Sequence, residues 1–252
     1  MGYFLITGAT SGIGKALAFS LAKKGHPLIL AARDTKRLGQ LGAQLRSEFQ
    51  VEAVPIGVDL SEPGSAFYLY NACRPYPVRG LINNAGMGLF GDFSKISMEE
   101  EGRLLQLNII SLHELSKYFI QDFSRENKGM VLNVASTAAF SSGPFMASYY
   151  ASKAYVLSLT EALAEEFPRL MISCLAPGPV TTEFHQRAGI SPGEKRLPTP
   201  QMVADYAVRY WFKGKVLIVP GSSNRLLLFL NRAIPRSLAR KLVMKNQLKK
   251  KK

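Results

Sequence analysis

The sequence predicts an α/β fold: a single Rossmann-like domain built on a doubly wound parallel sheet of about seven strands. Three observations support this class. Short apolar runs alternate with longer helical patterns from the N-terminus onward, which is typical of repeated βα units. A glycine-rich turn joins the first predicted strand to the first predicted helix. The 252 residues are enough for one large core and few for two domains.

Short apolar segments predict seven strands, at residues 3–7, 27–32, 52–57, 79–83, 129–134, 170–175 and 215–219. Longer periodic segments between them predict helices at 12–24, 34–48, 97–124, 147–166 and 199–212. Thr199 as a cap and Pro200 in the first turn indicate where the last helix begins. Residues 181–198 interrupt this alternation with glycine and proline. An insertion of that length predicts a functional lid or a disordered segment.

The charge is distributed unevenly along the chain. The net charge is +14, and 13 of the 32 basic residues but none of the 18 acidic residues follow Asp205. No apolar run approaches the roughly 18 residues of a membrane-spanning helix, and no basic leader precedes the first strand. Cys73 and Cys174 are expected to be reduced thiols, and no Cys/His spacing predicts a metal site. We therefore expect a cytoplasmic protein.

The glycine-rich turn reads Thr-Gly-Ala-Thr-Ser-Gly-Ile-Gly from Thr7 to Gly14. Glycines permit a tight turn and close approach of the backbone, and the helix start offers N–H groups and a positive dipole to a pyrophosphate. Placed between a strand and a helix, this pattern predicts a dinucleotide site. The residues expected to bind the cofactor here are Gly8, Thr10, Ser11, Gly12, Ile13 and Gly14.

The residues after the second strand bear on which dinucleotide is bound. A carboxylate there would bind the ribose 2′-hydroxyl of NAD, whereas an arginine would bind the 2′-phosphate of NADP. The sequence offers both, in Arg33 and Asp34. Asp34 equally suits the N-cap of the following helix. We therefore expect Arg33, with Arg37 as a second candidate, to bind a phosphate, and NADP(H) rather than NAD to be the cofactor.

Three polar residues at and after the end of the fifth strand have an informative spacing: Ser136, Tyr149 and Lys153. Tyr149 and Lys153 are four residues apart on a predicted helix, so both project from one face. A fixed cation stabilises a phenolate. We therefore expect Lys153 to lower the pKa of Tyr149 from its ordinary value of about 10 and to make it a general acid. Such pairs are also common on helix surfaces, so a catalytic role for this pair depends on the other motifs in the sequence.

Together these motifs resemble the short-chain dehydrogenase/reductase family over residues 1–220. The family pattern includes the glycine-rich turn, Asn-Asn-Ala-Gly at residues 83–86, the Tyr-x-x-x-Lys pair and the Pro-Gly segment at residues 177–182. The resemblance implies four catalytic residues: Asn108, Ser136, Tyr149 and Lys153. Besides Tyr149 and Lys153, it adds these cofactor-binding residues: Asp59, Leu60, Asn84, Ala85, Gly86, Pro177, Gly178, Val180 and Thr182.

The resemblance also implies a reaction. Hydride would pass from NADPH to a carbonyl carbon while Tyr149 protonates the oxygen and Ser136 hydrogen-bonds it. Lys153 would also bind the nicotinamide ribose, and Asn108 would hold a water that connects the lysine to solvent. Apolar side chains near these residues predict a hydrophobic ketone, such as a 3-oxoacyl thioester or a steroid-like ketone. The family implies a homo-oligomer, a dimer or tetramer, paired through the helices at 97–124 and 147–166.

Residues 221–252 form a basic amphipathic extension after the expected NAD(P)-binding catalytic domain, residues 1–220. Its leucines and cations suit peripheral contact with an anionic inner membrane face. They equally suit leucines that cover the substrate pocket or a subunit contact, with solvated lysines. A nucleic-acid partner is not expected, because the extension lacks interleaved aromatic residues. The alternative to an enzyme is a catalytically silent NADP-binding regulatory protein, which would need no catalytic residues.

Overall fold

The structure is a computed structural model that describes residues 2–184, 188 and 197–248. Seven parallel strands form one sheet in the order β3-β2-β1-β4-β5-β6-β7. The strands are β1 (Tyr3–Thr7), β2 (Leu28–Ala32), β3 (Ala53–Gly57), β4 (Val78–Asn83), β5 (Met130–Val134), β6 (Met171–Leu175) and β7 (Leu217–Ile218). The order reverses between β1 and β4, and ligands of such sheets bind beyond the carboxyl ends of the strands at that point.

Nine α-helices flank this sheet within the described residues. They are α1 (Gly12–Ala22), α2 (Thr35–Phe49), α3 (Ser65–Cys73), α4 (Met98–Leu105), α5 (Leu112–Glu126), α6 (Ala147–Glu166), α7 (Pro200–Trp211), α8 (Ser222–Ala233) and α9 (Arg236–Leu248). A π-helical segment, Gln106–Ser111, joins α4 to α5, and a 3₁₀ turn, Thr137–Phe140, follows β5. The α/β fold class, the single domain and all seven predicted strands are confirmed.

Two predictions about helices were incomplete. The single helix expected at 97–124 is α4, the π-helical segment and α5, because the backbone widens by one residue per turn around Asn108. Helix α3 was not predicted. Its aromatic residues Phe67 and Tyr68 are more than half exposed, so its apolar residues do not mark one buried face.

Helices cover both faces of the sheet. Alternate residues of β1 show this: Phe4 and Ile6 pack with α1, α2 and α7, whereas Leu5 packs with α3 and α5 on the other face. Strands buried on both faces are expected to be continuously apolar, as β1 is. This burial fixes the positions of the strand ends from which the candidate site is built.

Two predicted segments fall at least in part beyond the described residues. Of the expected lid, 181–198, residues 185–187 and 189–196 lie outside the described residues, as do Lys249–Lys252 at the end of the basic extension. None of the described helices combines the length and the apolar character that crossing a bilayer requires.

Candidate active site

The glycine-rich turn follows β1, and its glycines have little room for side chains. Gly8 and Gly12 have φ values of +65° and +53°, a region that favours glycine. A Cβ atom on Gly14 would collide with the carbonyl oxygen of Gly8 and with the amide nitrogen of Asn84. The turn therefore presents bare backbone at the start of α1.

Side-chain hydrogen bonds hold this turn to the segment after β4. The Thr7 hydroxyl accepts hydrogen bonds from the backbone N–H groups of Asn84 and Ala85, both at 3.0 Å. The Asn84 amide donates to the carbonyl oxygens of Thr7 and Gly8, at 2.9 and 3.2 Å. Because β1 and β4 are neighbours where the strand order reverses, these bonds fix both sides of the crevice.

The start of α1 fits a phosphorylated group. Among the described residues, no side chain caps its first backbone N–H groups, and Ser11, the N-cap, makes no side-chain cap bond. A cleft of about 400 Å³ opens beside it, with two cations, Lys15 and Arg37, among its lining residues. Free N–H groups, a positive helix dipole and two cations are the chemistry that a pyrophosphate needs.

The two charged residues after β2, Arg33 and Asp34, fit one of the two expected interpretations, in which Asp34 is an N-cap. The Asp34 carboxylate accepts a hydrogen bond from the Arg37 backbone N–H at 2.9 Å, so Asp34 caps α2. The Arg33 guanidinium is 64% exposed and lies 3.6 Å from the Asp59 carboxylate. Arg37 pairs with Asp34 and, at 3.7 Å, with Glu183. Two exposed guanidinium groups therefore lie at the end of β2.

Asp59, after β3, is held by a network that the sequence did not reveal. Burial alone would raise the pKa of its carboxyl group, but hydrogen bonds from Ser61 and the nearby Arg33 and Arg103 outweigh it and lower the pKa. The Arg103 guanidinium of α4 donates to Asp59 at 3.3 Å and to Ser61 at 3.1 Å. Asp59 is therefore charged and fixed beside Arg33.

The four expected catalytic residues meet beyond β4 and β5. The Ser136 hydroxyl lies close enough to the Tyr149 phenol to lower the pKa of that phenol, and it accepts a hydrogen bond from the Ala138 N–H at 3.1 Å. The Lys153 ammonium donates to the Val134 carbonyl oxygen at 2.9 Å. A Cβ atom on Gly86 would lie 3.2 Å from the Asn108 carbonyl oxygen and 3.4 Å from the Lys153 ammonium, so the absent side chain of Gly86 lets both approach.

Asn108 is positioned by the π-helical segment. Its amide donates to the Met87 carbonyl oxygen at 2.8 Å and to the Ser152 hydroxyl at 3.1 Å. Its carbonyl oxygen accepts from the Met87 N–H at 2.9 Å. The residue is 1% exposed, and π-helical segments often occur at functional sites because they redirect a side chain.

The segment after β6 closes the site. The Thr137 N–H donates to the Pro177 carbonyl oxygen at 2.9 Å. The methyl group of Thr182 would lie 3.2 Å from a Cβ atom on Gly12. This segment therefore connects the region around Ser136 with the glycine-rich turn.

The expected acidification of Tyr149 by Lys153 is not what the structure shows. Tyr149 is half-buried, and burial raises the pKa of its phenol to about 12, against a smaller lowering by Ser136. Burial lowers the pKa of the Lys153 ammonium to about 8. The ammonium lies 5.9 Å from the centre of the Tyr149 ring and donates to Val134 instead. The phenol is therefore fully protonated at neutral pH.

The lowered Lys153 pKa gives a prediction about stability. Between pH 8 and about 10.5 the unfolded chain holds a proton on this lysine that the folded chain lacks, so stability rises with pH in that window. Relative to Lys153→Met, the free energy of unfolding of the wild type should rise by about 2 kcal/mol from pH 8 to pH 10. Urea unfolding at several pH values measures this difference.

The control is Lys128→Met, since Lys128 is exposed. Its difference from the wild type should not change with pH. Loss of the hydrogen bond to Val134 lowers the stability of Lys153→Met equally at every pH, so the slope is the informative quantity. A flat difference for Lys153→Met would show that this ammonium keeps its ordinary pKa.

Apolar side chains surround the Tyr149 phenol. Phe184 lies with its ring centre 5.4 Å from that of Tyr149, and Tyr150 at 6.1 Å. Met146 and Phe90 complete this cluster. Apolar side chains were expected near the site, but no motif marks Tyr150 and Phe184 as members of this cluster.

A glycine-rich turn at the switch point of a doubly wound sheet, with a buried lysine and neighbouring serine and tyrosine hydroxyls beyond it, defines a dinucleotide-dependent oxidoreductase. The sequence profile of the short chain dehydrogenase family matches residues 3–191. The chain belongs to that family.

Related proteins match this chain over most of its length. The 7beta-hydroxysteroid dehydrogenase of Mediterraneibacter gnavus is 26% identical over 228 residues, 88% of this chain and 86% of that protein. A short-chain dehydrogenase from Sphingobium yanoikuyae, solved in complex with NADPH, is 31% identical and covers 92% of this chain and 94% of its own, with a TM-score of 0.85. The bulky-bulky ketone specific alcohol dehydrogenase from Comamonas testosteroni is 29% identical, covers 92% of both chains and has a TM-score of 0.81.

Proposed function

We propose that this protein reduces a hydrophobic ketone to a secondary alcohol with NADP(H), and that Tyr149 is the general acid. The observation that carries the proposal is the proximity of the Ser136 hydroxyl to the Tyr149 phenol, between an apolar cluster and the carboxyl ends of β4 and β5. A carbonyl oxygen placed at this pair would accept two hydrogen bonds. The apolar cluster would contact the body of the substrate.

When bound, NADPH supplies the hydride. Tyr149 holds the proton that the carbonyl oxygen needs, because its raised pKa keeps the phenol protonated. Ser136 donates a hydrogen bond to the same oxygen as negative charge develops on it. Lys153, with a pKa of about 8, retains its proton at neutral pH and would bind the nicotinamide ribose. Asn108 fixes the backbone at Met87 through two hydrogen bonds.

The substrate class follows from the lining of the site and from the relatives. The side chains beside Tyr149 are apolar or aromatic, including Phe90, Met146 and Phe184. A related protein is named for a hydroxysteroid and another for bulky ketones. We infer a steroid-like ketone or a 3-oxoacyl thioester, which combine a large apolar body with one carbonyl group.

The preference for NADP(H) is tested by Arg33→Ala combined with Arg37→Ala. Both guanidinium groups are exposed at the end of β2, where a 2′-phosphate would lie. The KM for NADPH should rise about 30-fold, about 2 kcal/mol, because hydrogen bonds to a charged phosphate are lost. The KM for NADH should change less than about threefold, since NADH lacks that phosphate. Steady-state kinetics with both cofactors measures this.

The matched control for the arginine pair is Arg74→Ala with Arg169→Ala. Both are exposed arginines that precede β4 and β6, at the opposite edge of the sheet. This control should leave both KM values unchanged. An equal rise for NADPH and NADH in the Arg33 and Arg37 variant would contradict binding of the 2′-phosphate.

We further propose a cytoplasmic homo-oligomer, a dimer or tetramer, with no nucleic-acid partner. The helices expected to pair expose apolar side chains, Leu105, Ile110 and Tyr155. In the proposed division, residues 1–220 form the catalytic domain and 221–252 the extension. Helix α8 of the extension exposes Leu226, Leu227 and Phe229 by 59, 61 and 70%, which supports peripheral contact with the inner membrane face.

The second candidate function is a regulatory protein that binds NADP without turnover. A panel of hydrophobic ketones mixed with NADPH, followed at the nicotinamide absorbance band, separates the two. Oxidation of NADPH that depends on a ketone supports the reductase. NADPH binding with no turnover of any ketone supports the regulator.

A further inference from the structure

The C-terminal helix α9 lies against the start of the helix that carries Tyr149. Its Gln247 is 2% exposed, and the Gln247 amide donates to the Tyr150 hydroxyl at 3.0 Å. Tyr150 neighbours Tyr149 on α6 and packs beside it. The basic extension is therefore part of the wall next to the candidate active site.

A cleft of about 480 Å³ lies between α9 and the loop that leads into α6. Pro144 of that loop forms one side. The α9 side combines two apolar side chains, Met244 and Leu248, with three cations. The lining residues are Pro144, Ser237, Arg240, Lys241, Met244, Lys245 and Leu248. We call this space the α9 cleft.

The cations of the α9 cleft have no carboxylate partner within the part of the chain that the structure describes. Arg240, Lys241 and Lys245 are exposed, and the described ion pairs include none of them. No acidic residue follows Asp205 in the sequence. The cleft therefore has a positive potential beside apolar surface, and such a field attracts an anion.

A buried acceptor lies on the side of α9 that faces Tyr150. The Gln247 carbonyl oxygen is buried and has no hydrogen-bond partner among the described residues. Buried acceptors are nearly always satisfied in folded proteins. Because this atom has almost no accessible surface, it lies apart from the lining of the α9 cleft.

We propose that the α9 cleft binds the anionic end of an amphiphilic ketone whose apolar body extends to Tyr149. The anionic group, a carboxylate or phosphate ester, would pair with Arg240, Lys241 and Lys245, while Met244 and Leu248 contact the adjoining apolar chain. This proposal deepens the proposed reductase function and depends on it for the position of the carbonyl group. It defines the substrate class by charge as well as by hydrophobicity.

The test compares dehydrocholate, a steroid with ring ketones and a carboxylate side chain, with its uncharged methyl ester. The variant combines Arg240→Gln, Lys241→Gln and Lys245→Gln. In this variant the ratio of the KM for dehydrocholate to the KM for the ester should rise about tenfold, which corresponds to about 1.4 kcal/mol. Raising the salt concentration should increase the same ratio for the wild type, because ions screen exposed charges.

The matched control removes three positive charges elsewhere, with Lys23→Gln, Lys24→Gln and Lys128→Gln on exposed lysines. It should not change the ratio. An equal rise in KM for both substrates in the cleft variant, or no rise for either, would overturn the proposal, since charge would then not be recognised there.

A binding measurement separates this proposal from the proposed function. Cholate, which has the carboxylate but no ketone, is titrated into the protein by calorimetry, so no turnover is needed. Cholate affinity that falls about tenfold in the cleft variant supports the cleft even if no ketone is reduced, in which case only the reductase assignment fails. Ketone reduction with charge-independent KM values overturns the cleft alone.

The last experiment measures binding of the protein to vesicles of phosphatidylglycerol and phosphatidylcholine. If the cleft variant loses binding to anionic vesicles while the KM ratio and cholate affinity stay at wild-type values, the three cations contact a membrane surface and the proposal is wrong. Vesicle binding that survives in the cleft variant, together with the altered KM ratio, supports it.

Discussion

Replacing Tyr149 with phenylalanine is expected to lower kcat by about 1,000-fold or more, because general acid catalysis typically contributes 10²- to 10⁴-fold. The substitution removes one oxygen atom and leaves the ring, which packs against Tyr150 and Phe184. The affinity for NADPH should change less than about twofold, since a single neutral hydrogen bond contributes modestly to binding. Turnover of a ketone and fluorescence titration of NADPH measure the two quantities.

Tyr155→Phe is the matched control for this prediction. Tyr155 lies on the same helix, but its hydroxyl is 2.7 Å from the ring nitrogen Nδ1 of His113 and not at Ser136. Its removal should leave kcat near the wild-type value. Retention of a tenth or more of the activity in Tyr149→Phe would mean that another group protonates the substrate.

Gly14→Ala is expected to weaken NADPH binding about 100-fold, about 2.7 kcal/mol. The added Cβ atom would collide with the Gly8 carbonyl oxygen and the Asn84 amide. Relief requires the turn to open, and overpacking of this kind typically costs about 1–3 kcal/mol. The opened turn would no longer direct the first N–H groups of α1 at a pyrophosphate. Equilibrium titration with NADPH measures the loss, and thermal unfolding reports whether the variant remains folded.

Gly39→Ala is the control glycine. It lies inside α2, where a Cβ atom would meet nothing within 4 Å. Alanine in a helix interior should stabilise the fold by up to about 1 kcal/mol relative to glycine, with unchanged NADPH affinity. Normal NADPH affinity in a folded Gly14→Ala protein would show that the glycine-rich turn is not where the cofactor binds.

The sheet and the sites at its edge could be predicted because their signals are local. Strands buried on both faces are short apolar runs, and a glycine-rich turn between a strand and a helix indicates a dinucleotide site. The cap of α2 by Asp34 was one of two stated interpretations. The positions of Ser136, Tyr149 and Lys153 followed from a family pattern rather than from periodicity.

What the sequence did not predict depends on contacts between distant residues. Gln247 meets Tyr150 across 97 positions of the chain, and Arg103 meets Asp59 across 44. The pKa shifts depend on burial, which a spacing does not report. A four-residue interval places Tyr149 and Lys153 on one helix face. The Lys153 ammonium nevertheless donates its hydrogen bond to the Val134 carbonyl oxygen and not to the phenol.

The central claim is that hydride and proton reach one carbonyl group beside Tyr149. NADPH carrying deuterium at both C4 positions, incubated with protein and a hydrophobic ketone, tests it most directly by mass spectrometry of the alcohol. We expect one deuterium on the carbinol carbon with the wild type and essentially no alcohol with Tyr149→Phe. An alcohol without deuterium on the carbinol carbon would contradict it. An equal yield of labelled alcohol from the Tyr149→Phe protein would also contradict it.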